Sequence, residues 1–129
     1  MRIAIHFNVS GLDELYRQAE QQVKKEMLNE LARTGEGYVN MARGTGTYTD
    51  RTGNLRNANS YRIYKDGIVV SESIGRPETG KMFDELKSGI GIEALFGNGM
   101  EYASFVEGKG YNVVSEAFLW VEKRMSSFK

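Results

Sequence analysis

A long stretch of helical spacing near the start of the chain constrains the fold more than any other feature. Apolar residues recur three or four positions apart between residues 11 and 43, as on one face of a helix: Leu12, Leu15, Tyr16, Ala19, Val23, Met27, Leu31, Tyr38 and Met41. A continuous helix of this span would be roughly 50 Å long, more than the diameter of a compact 129-residue domain. Because a glycine within a helix costs about 1 kcal/mol relative to alanine, Gly35 and Gly37 predict a weak break there.

Strand-like patterns lie on both sides of this helix in the sequence. Near the N-terminus every second residue is apolar, which predicts a strand with one buried face: Ile3, Ile5, Phe7 and Val9. His6 falls on the opposite face, where we expect a solvated or edge-facing imidazole. Residues 60–75 predict a hairpin, because the pair Asp66-Gly67 suits a tight turn with positive φ angles.

The rest of the chain completes a mixed fold. A short strand near residues 111–114 and a helix that Ser115 can cap are predicted at the C-terminal end. We therefore expect an α+β fold, with a long N-terminal helix and a C-terminal helix packed on one side of a small antiparallel β-sheet. The length of the chain fits a single domain, residues 1–129. Residues 76–99 are interrupted by glycines and only weakly patterned, which predicts a flexible loop within that domain.

Composition argues against several functional classes. The chain has 17 Lys and Arg residues and 17 Asp and Glu residues, so its formal net charge is zero. A domain that binds the phosphates of nucleic acid is usually basic. The chain has no cysteine, which excludes disulfides, thiolate metal sites and cysteine nucleophiles. A single histidine cannot form a two-histidine metal site. No run of about 18 apolar residues predicts a membrane span, and the N-terminus lacks the apolar core of a signal peptide, so we expect an intracellular protein.

The segment GTGTYTDRTGNLRNA, residues 44–58, invites comparison with phosphate-binding loops. No lysine follows Gly44 and Gly46 at the position that an NTPase loop requires, and the third glycine of a dinucleotide loop is absent. A helix also precedes the segment, where a dinucleotide loop would follow a strand. We therefore expect no cofactor-binding residues here.

Acidic residues offer no clear catalytic site either. Asp84 adjoins Glu85, and Glu101 and Glu107 flank an aromatic cluster, but no histidine is near in sequence and a solvated role is expected for all four. We predict no catalytic residue and no metal ligand, and hence no enzymatic activity. Charge is unevenly distributed: residues 44–67 hold four basic and two acidic residues, whereas residues 68–110 hold four basic and seven acidic ones. Such segments of opposite sign can pair between copies of one chain.

The order of motifs resembles that of a family of tailed-bacteriophage proteins, the tail-completion or head–tail joining proteins, sometimes called minor capsid proteins. One shared element is TGNLR after the long helix, here Thr52, Gly53, Asn54, Leu55 and Arg56. A second is YA-x-x-VE-x-GT, matched by Tyr102, Ala103, Val106, Glu107 and Gly108. This sequence departs from the family pattern at Lys109, where the threonine is expected, and at Ala117, where the family has proline.

The resemblance implies a structural virion assembly protein without catalytic activity. Members assemble as homo-oligomeric rings, commonly hexamers, between the head connector or adaptor and the tail-tube or terminator proteins. Such a protein resides in the host cytoplasm during assembly and then in the virion neck. In this interpretation TGNLR is a structural joint: Gly53 permits an unusual backbone conformation, Leu55 enters the core, and Arg56 pairs with a carboxylate such as Glu107.

Two other functions stay open at this point. A small metal-dependent hydrolase encoded near phage structural genes would require a tight acidic or histidine-centred site. A nucleic-acid-binding module from the same gene neighbourhood would require a basic face, and its tyrosines could stack bases. We expect neither a membrane partner nor sequence-specific recognition of nucleic acid.

Overall fold

The computed structural model describes residues 2–8, 17–44, 54–101, 103, 107 and 113–126. Within these residues the chain has the α+β fold that the sequence predicts. In chain order the elements are β1 (Ile3–Asn8), α1 (Gln21–Gly44), α2 (Asn54–Asn57), β2 (Asn59–Lys65), β3 (Ile68–Ser73), α3 (Pro77–Leu86), β4 (Ile92–Asn98) and α4 (Ser115–Ser126).

The four strands form one antiparallel sheet in the order β1-β4-β2-β3. The last of the described strands, β4, lies inside the sheet, with Phe96 opposite Ile5 of β1 and Ala94 opposite Ile63 of β2. β1 and β3 are therefore the two edge strands of this sheet. The predicted hairpin joins β2 to β3, and its turn has the expected positive φ angles, 52° at Asp66 and 82° at Gly67.

The long helix α1 packs with α4 on one face of the sheet and encloses the main core. The buried residues of this core come from both helices and from the sheet: Leu31, Tyr38, Val39 and Ala42 of α1, Tyr61, Ile63, Ile92, Ala94 and Phe96 of the sheet, and Ala117, Val121 and Met125 of α4. The rings of Tyr38 and Phe96 meet edge to face, 5.4 Å apart, so the helix and the central strand interlock at the centre of this face.

The predicted break near Gly35 and Gly37 is wrong, because α1 continues through both glycines to Gly44. A Cβ atom at Gly35 would overlap the ring of Tyr61, and one at Gly37 would overlap the ring of Trp120. These glycines therefore allow β2 and α4 to approach the helix closely. The interruption lies further toward the N-terminus, at residues 19–20, which are not helical; residues 11–16 lie outside the described part.

The second face of the sheet is covered by α3, which lies in the segment predicted to be a loop, while α1 and α4 share the first face as expected. Met82 and Phe83 of α3 pack against Tyr64 and Leu95, and all four side chains are buried. The sheet is therefore the middle layer of three.

The loop predicted over residues 76–99 does not exist in that form, because most of this segment forms α3 and β4. All seven residues of β4 are buried. A strand covered on both faces shows no alternation of apolar and polar residues, which is why its pattern was not recognisable. Gly89 and Gly91, with φ angles of 83° and 69°, make the tight connection between the two elements.

At the C-terminal end, α4 confirms the predicted helix. The predicted strand before it is not found: Val113 and Val114 lie in a bend, while residues 111 and 112 lie outside the described part. None of the described helices is long and apolar enough to cross a membrane.

Candidate functional site

Five of the motif residues fall within the described part of the chain: Asn54, Leu55, Arg56, Ala103 and Glu107. Thr52, Gly53, Tyr102, Val106 and Gly108 lie outside it, and so does the conformation predicted for Gly53.

Leu55 connects the two motif regions. It lies on the short helix α2, is 3% exposed and belongs to a buried cluster with Ala103, Val113 and Val114. Leu55 belongs to the TGNLR element and Ala103 to the second element, so residues from both meet in one apolar cluster next to the start of α4. The prediction that Leu55 enters the core is confirmed.

Glu107 of the second element binds the beginning of α4. Its carboxylate accepts hydrogen bonds from the backbone N–H groups of Val114 (2.8 Å) and Ser115 (3.1 Å), and from the Ser115 hydroxyl (2.7 Å). The N-terminus of a helix presents unpaired N–H groups and a partial positive charge, which a carboxylate stabilises. The cap of α4 is thus supplied by Glu107, and Ser115, which the sequence suggested for this role, is one of its donors.

Two buried asparagines that the sequence did not single out join the same region to the sheet. Asn98 at the end of β4 donates its amide to the carbonyl oxygen of Leu55 (2.7 Å) and to Oδ1 of Asn59 (3.1 Å). Asn59 at the start of β2 in turn donates to the carbonyls of Ala42 (3.4 Å) and Val113 (3.4 Å). Both asparagines have no exposed surface. Their amides therefore connect the ends of α1, α2, β2 and β4 with the segment that precedes α4.

We call this region the buried joint and define it by Leu55, Asn59, Asn98, Glu107 and Val113. Leu55 and Val113 share the apolar cluster, and the two asparagines bond to each other and to the carbonyl oxygens of these two residues. Glu107 binds the backbone of Val114, the residue that follows Val113. Buried amides with satisfied donors hold a unique arrangement, because any shift would leave polar groups unpaired in an apolar environment.

The described contacts of Arg56 and Glu107 do not include the ion pair between them that the sequence suggests. Arg56 Nη1 is 3.5 Å from the carbonyl oxygen of Arg43, at the end of α1, whereas Glu107 is directed to α4. Arg43 itself donates from Nε to the carbonyl oxygen of Asn59 (3.0 Å). Arg56 thus adds a contact between α2 and α1 next to the buried joint.

A second buried polar group lies at the opposite end of β4. Glu93 has no exposed surface, and its carboxylate accepts hydrogen bonds from the N–H groups of Ser88 (2.6 Å) and Gly89 (3.1 Å) and from Nε2 of His6 (2.9 Å). Burial on its own would raise the pKa of Glu93, but the hydrogen bonds from Ser88, Gly89 and His6 outweigh it and lower this pKa below its ordinary value. The sequence predicts a solvated or edge-facing imidazole for His6; its side chain is 31% exposed and has this specific buried partner.

The acids considered for catalysis are used in interactions within the fold. Asp84 accepts from the hydroxyl of Tyr64 (2.6 Å) and from Nη1 of Arg62 (3.0 Å), and Glu85 pairs with Arg2 (2.9 Å). Burial and the hydrogen bond to Asp84 raise the pKa of Tyr64 to about 12, against the opposing effect of Arg62. Tyr64 therefore remains neutral at physiological pH and serves as a hydrogen-bond donor.

Two clefts among the described residues have mixed linings. One of about 420 Å³ lies beside the start of β1 and is lined by both signs of charge, including Arg2, Glu78, Lys81 and Glu85. Another, of about 530 Å³, lies between α1 and β3 and is lined by Arg33, Glu36 and neighbouring polar groups. No group of three or more potential metal-ligating side chains occurs among the residues that the structure describes.

Comparison of the chain with protein-family models, with curated proteins and with solved structures finds no match. The geometry above and the motif resemblance are therefore the basis for a functional interpretation.

Proposed function

We propose that this protein is a structural subunit of a tailed phage or prophage, which joins the head connector to the tail as part of a homo-oligomeric ring. Its partners in this proposal are further copies of itself, the connector or adaptor on one side and the tail-tube or terminator proteins on the other. It acts without catalysis, first in the host cytoplasm and then in the virion neck.

The observation that carries the proposal is the meeting of the two motif regions at the buried joint. Leu55 from the first packs with Ala103 from the second, and Glu107 holds the start of α4. Residues that carry the resemblance thus serve to fix helices and strands relative to one another. A subunit that transmits contacts between two partners needs such rigidity, because misplaced elements would misplace both docking surfaces.

The chemistry of the acidic residues favours this role over a hydrolase. A metal-dependent hydrolase gathers carboxylates around a common point. Here Asp84, Glu85 and Glu107 are each engaged with a different partner: a tyrosine and an arginine, another arginine, and a helix terminus. These engagements give each of the three acids a structural task.

Deletion of the gene from the phage or prophage that encodes it tests the proposal. We expect electron microscopy of induced lysates to show filled heads and separate tails, and infectivity to fall to background. Wild-type protein supplied from a plasmid should restore joined particles, whereas a plasmid with an early stop codon should not. Intact infectious particles after deletion would contradict the proposal. So would cleavage of DNA or cell wall by the purified protein that is abolished on replacing Asp84, Glu85 or Glu107 with the corresponding amide.

A further inference from the structure

The edge strand β3 has an exposed aliphatic segment. Ile68, Val69 and Val70 are 70%, 41% and 43% exposed. Ile90, 73% exposed, lies in the loop between α3 and β4, and the next residue, Gly91, is held to the hairpin turn by two hydrogen bonds with Asp66 (both 2.9 Å). Soluble proteins usually protect an edge strand with charges, proline or a covering element, because its unpaired backbone groups can bind another strand. We call residues 68–70 the aliphatic edge.

The opposite edge strand, β1, has matching properties. Its apolar residues at alternate positions, Ile3, Ile5 and Phe7, are only partly buried. At its beginning, the side chain of Arg2 is 40% exposed, and near the end of β3 the side chain of Glu72 is 39% exposed. Arg2 contacts Glu85 of α3, and Glu72 contacts Arg62, which also contacts Asp84 of α3, so both charged side chains lie on the α3 face of the sheet. An antiparallel register that sets Glu72 opposite Arg2 therefore brings opposite charges together on that face.

The direction of the strands decides how two copies can meet. All neighbouring strands of the four-stranded sheet are antiparallel, so the edges β1 and β3 run in opposite directions. A second copy in the same orientation therefore presents its β1 antiparallel to β3 of the first. This contact uses two different edges and can repeat from copy to copy, as a ring requires, whereas pairing of β3 with β3 would stop at a two-fold dimer.

We infer that β3 of one copy pairs with β1 of a second copy, extending the antiparallel sheet across the subunit boundary. Backbone hydrogen bonds supply the pairing, as in other cases of strand addition, and the aliphatic edge supplies apolar contact. The inference rests on the proposed function in that it names the contact between ring subunits, but its test requires only the purified chain.

The absence of cysteine makes site-directed cross-linking a clean test. Ile68→Cys marks the aliphatic edge and Asn8→Cys marks the exposed end of β1, while Leu119→Cys on α4 (61% exposed) is a control outside the sheet. The variants are made in two lengths, with and without an affinity tag, and are mixed pairwise at about 1 mM. A short thiol-to-thiol cross-linker is then added; at this concentration, association with a Kd of about 1 mM is still detected. We expect mixed products of Ile68→Cys with Asn8→Cys to exceed every other pair at least tenfold.

Two outcomes would overturn the inference. A predominance of Ile68→Cys products with themselves would establish a two-fold contact, and mixed yields no higher than those of Leu119→Cys would show that the edges do not meet. As an independent measurement, Val70→Lys should weaken self-association in sedimentation at least tenfold, while Leu119→Lys should leave it unchanged and circular dichroism should show both variants folded. Equal effects of the two lysines would also refute the pairing.

The two proposals can fail separately. If gene deletion leaves joined particles but the mixed cross-link forms, the assembly function is wrong and the edge contact stands. If deletion separates heads from tails while Ile68→Cys links only to itself, the function stands and the edge contact is wrong.

Discussion

Replacing Gly35 with alanine tests whether the glycines of α1 exist for close packing. The added methyl group would overlap the ring of Tyr61, which is 1% exposed. The ring has little freedom to move away, because its hydroxyl is hydrogen-bonded to Ser71 (2.7 Å) and Glu36 (3.2 Å). Burial, together with the charge of Glu36, raises the pKa of Tyr61 against the lowering effect of the hydrogen bond with Ser71, in keeping with a fixed, neutral phenol.

The magnitude follows from two opposing effects. Alanine in place of glycine inside a helix stabilises it by about 1 kcal/mol. Inserting a methyl group into a filled core costs about 1–3 kcal/mol, and displacement of the Tyr61 hydroxyl from its partners costs about 1 kcal/mol more. We therefore expect Gly35→Ala to lower the free energy of unfolding by about 1–3 kcal/mol, which corresponds to roughly 4–10 °C in Tm for a chain of this size.

Two other glycines of the same helix provide matched controls. At Gly37 the methyl group would meet Trp120, a partly exposed side chain on α4 that can rotate outward, so the net change should be about 0–1 kcal/mol. At Gly44, the last residue of α1, a Cβ atom would meet nothing within 4 Å. Gly44→Ala should therefore leave stability unchanged or raise it by up to about 1 kcal/mol.

Urea unfolding at pH 7 measures the series, with circular dichroism reporting the helices and the single Trp120 reporting the contact between α1 and α4. Equal slopes of free energy against urea would show that the unfolded states are comparable. The expected order of stability is Gly44→Ala, wild type, Gly37→Ala and Gly35→Ala. The packing explanation is refuted if Gly35→Ala is as stable as Gly44→Ala, since helix propensity would then dominate at both positions.

Three further substitutions test the polar groups of the core. Glu107→Ala should lower the free energy of unfolding by about 1–2 kcal/mol, because α4 loses its cap. As a control, Glu122→Ala on the exposed side of α4 should change this free energy by less than about 0.5 kcal/mol, and chemical denaturation measures both variants. Asn98→Ala should cost about 1–3 kcal/mol by leaving the carbonyl of Leu55 unpaired, and a cost below that of the exposed Asn8→Ala would contradict this. Because folding lowers the pKa of Glu93 below 4.5, its carboxylate stabilises the fold fully above pH 4.5 and this contribution is lost as the pH falls through the lower folded pKa. The stability difference between wild type and Glu93→Gln should therefore shrink on acidification below pH 4.5, and a difference that grows there would reverse the assigned direction of the pKa.

Local patterns were sufficient to predict the elements whose conformation is decided locally. The hairpin was predicted because Asp66-Gly67 requires only its own backbone angles to form a tight turn. The spacing of α1 likewise predicted a helix. The predicted break at Gly35 was wrong because helix propensity reflects only the residues near the glycine. The glycine is needed for contact with the ring of Tyr61, which lies on a strand distant in sequence.

The segment that became β4 could not be interpreted from its own sequence. All of its residues are buried because α1 covers one face and α3 covers the other. A strand that is covered on both faces has no alternation of apolar and polar residues by which the sequence could reveal it. The glycines on either side then resembled those of a loop. The same limit applies to the buried joint: Leu55 was predicted from its motif, but Asn59 and Asn98 are a residue type that is mostly exposed, so their burial gave no signal.

The polar groups at the two ends of β4 determine where this strand lies in the sheet. Its faces are both apolar, so hydrophobicity alone would tolerate more than one register. A shift of one residue would turn Glu93 toward the core under α1, away from Ser88 and Gly89, and an unpaired carboxylate there costs several kcal/mol. A shift of two residues would keep the faces but remove Asn98 from the carbonyl of Leu55. Since β1 pairs with β4 in this sheet, the register of β4 also sets the offset between the two edge strands, and with it the stagger between successive copies in the proposed assembly.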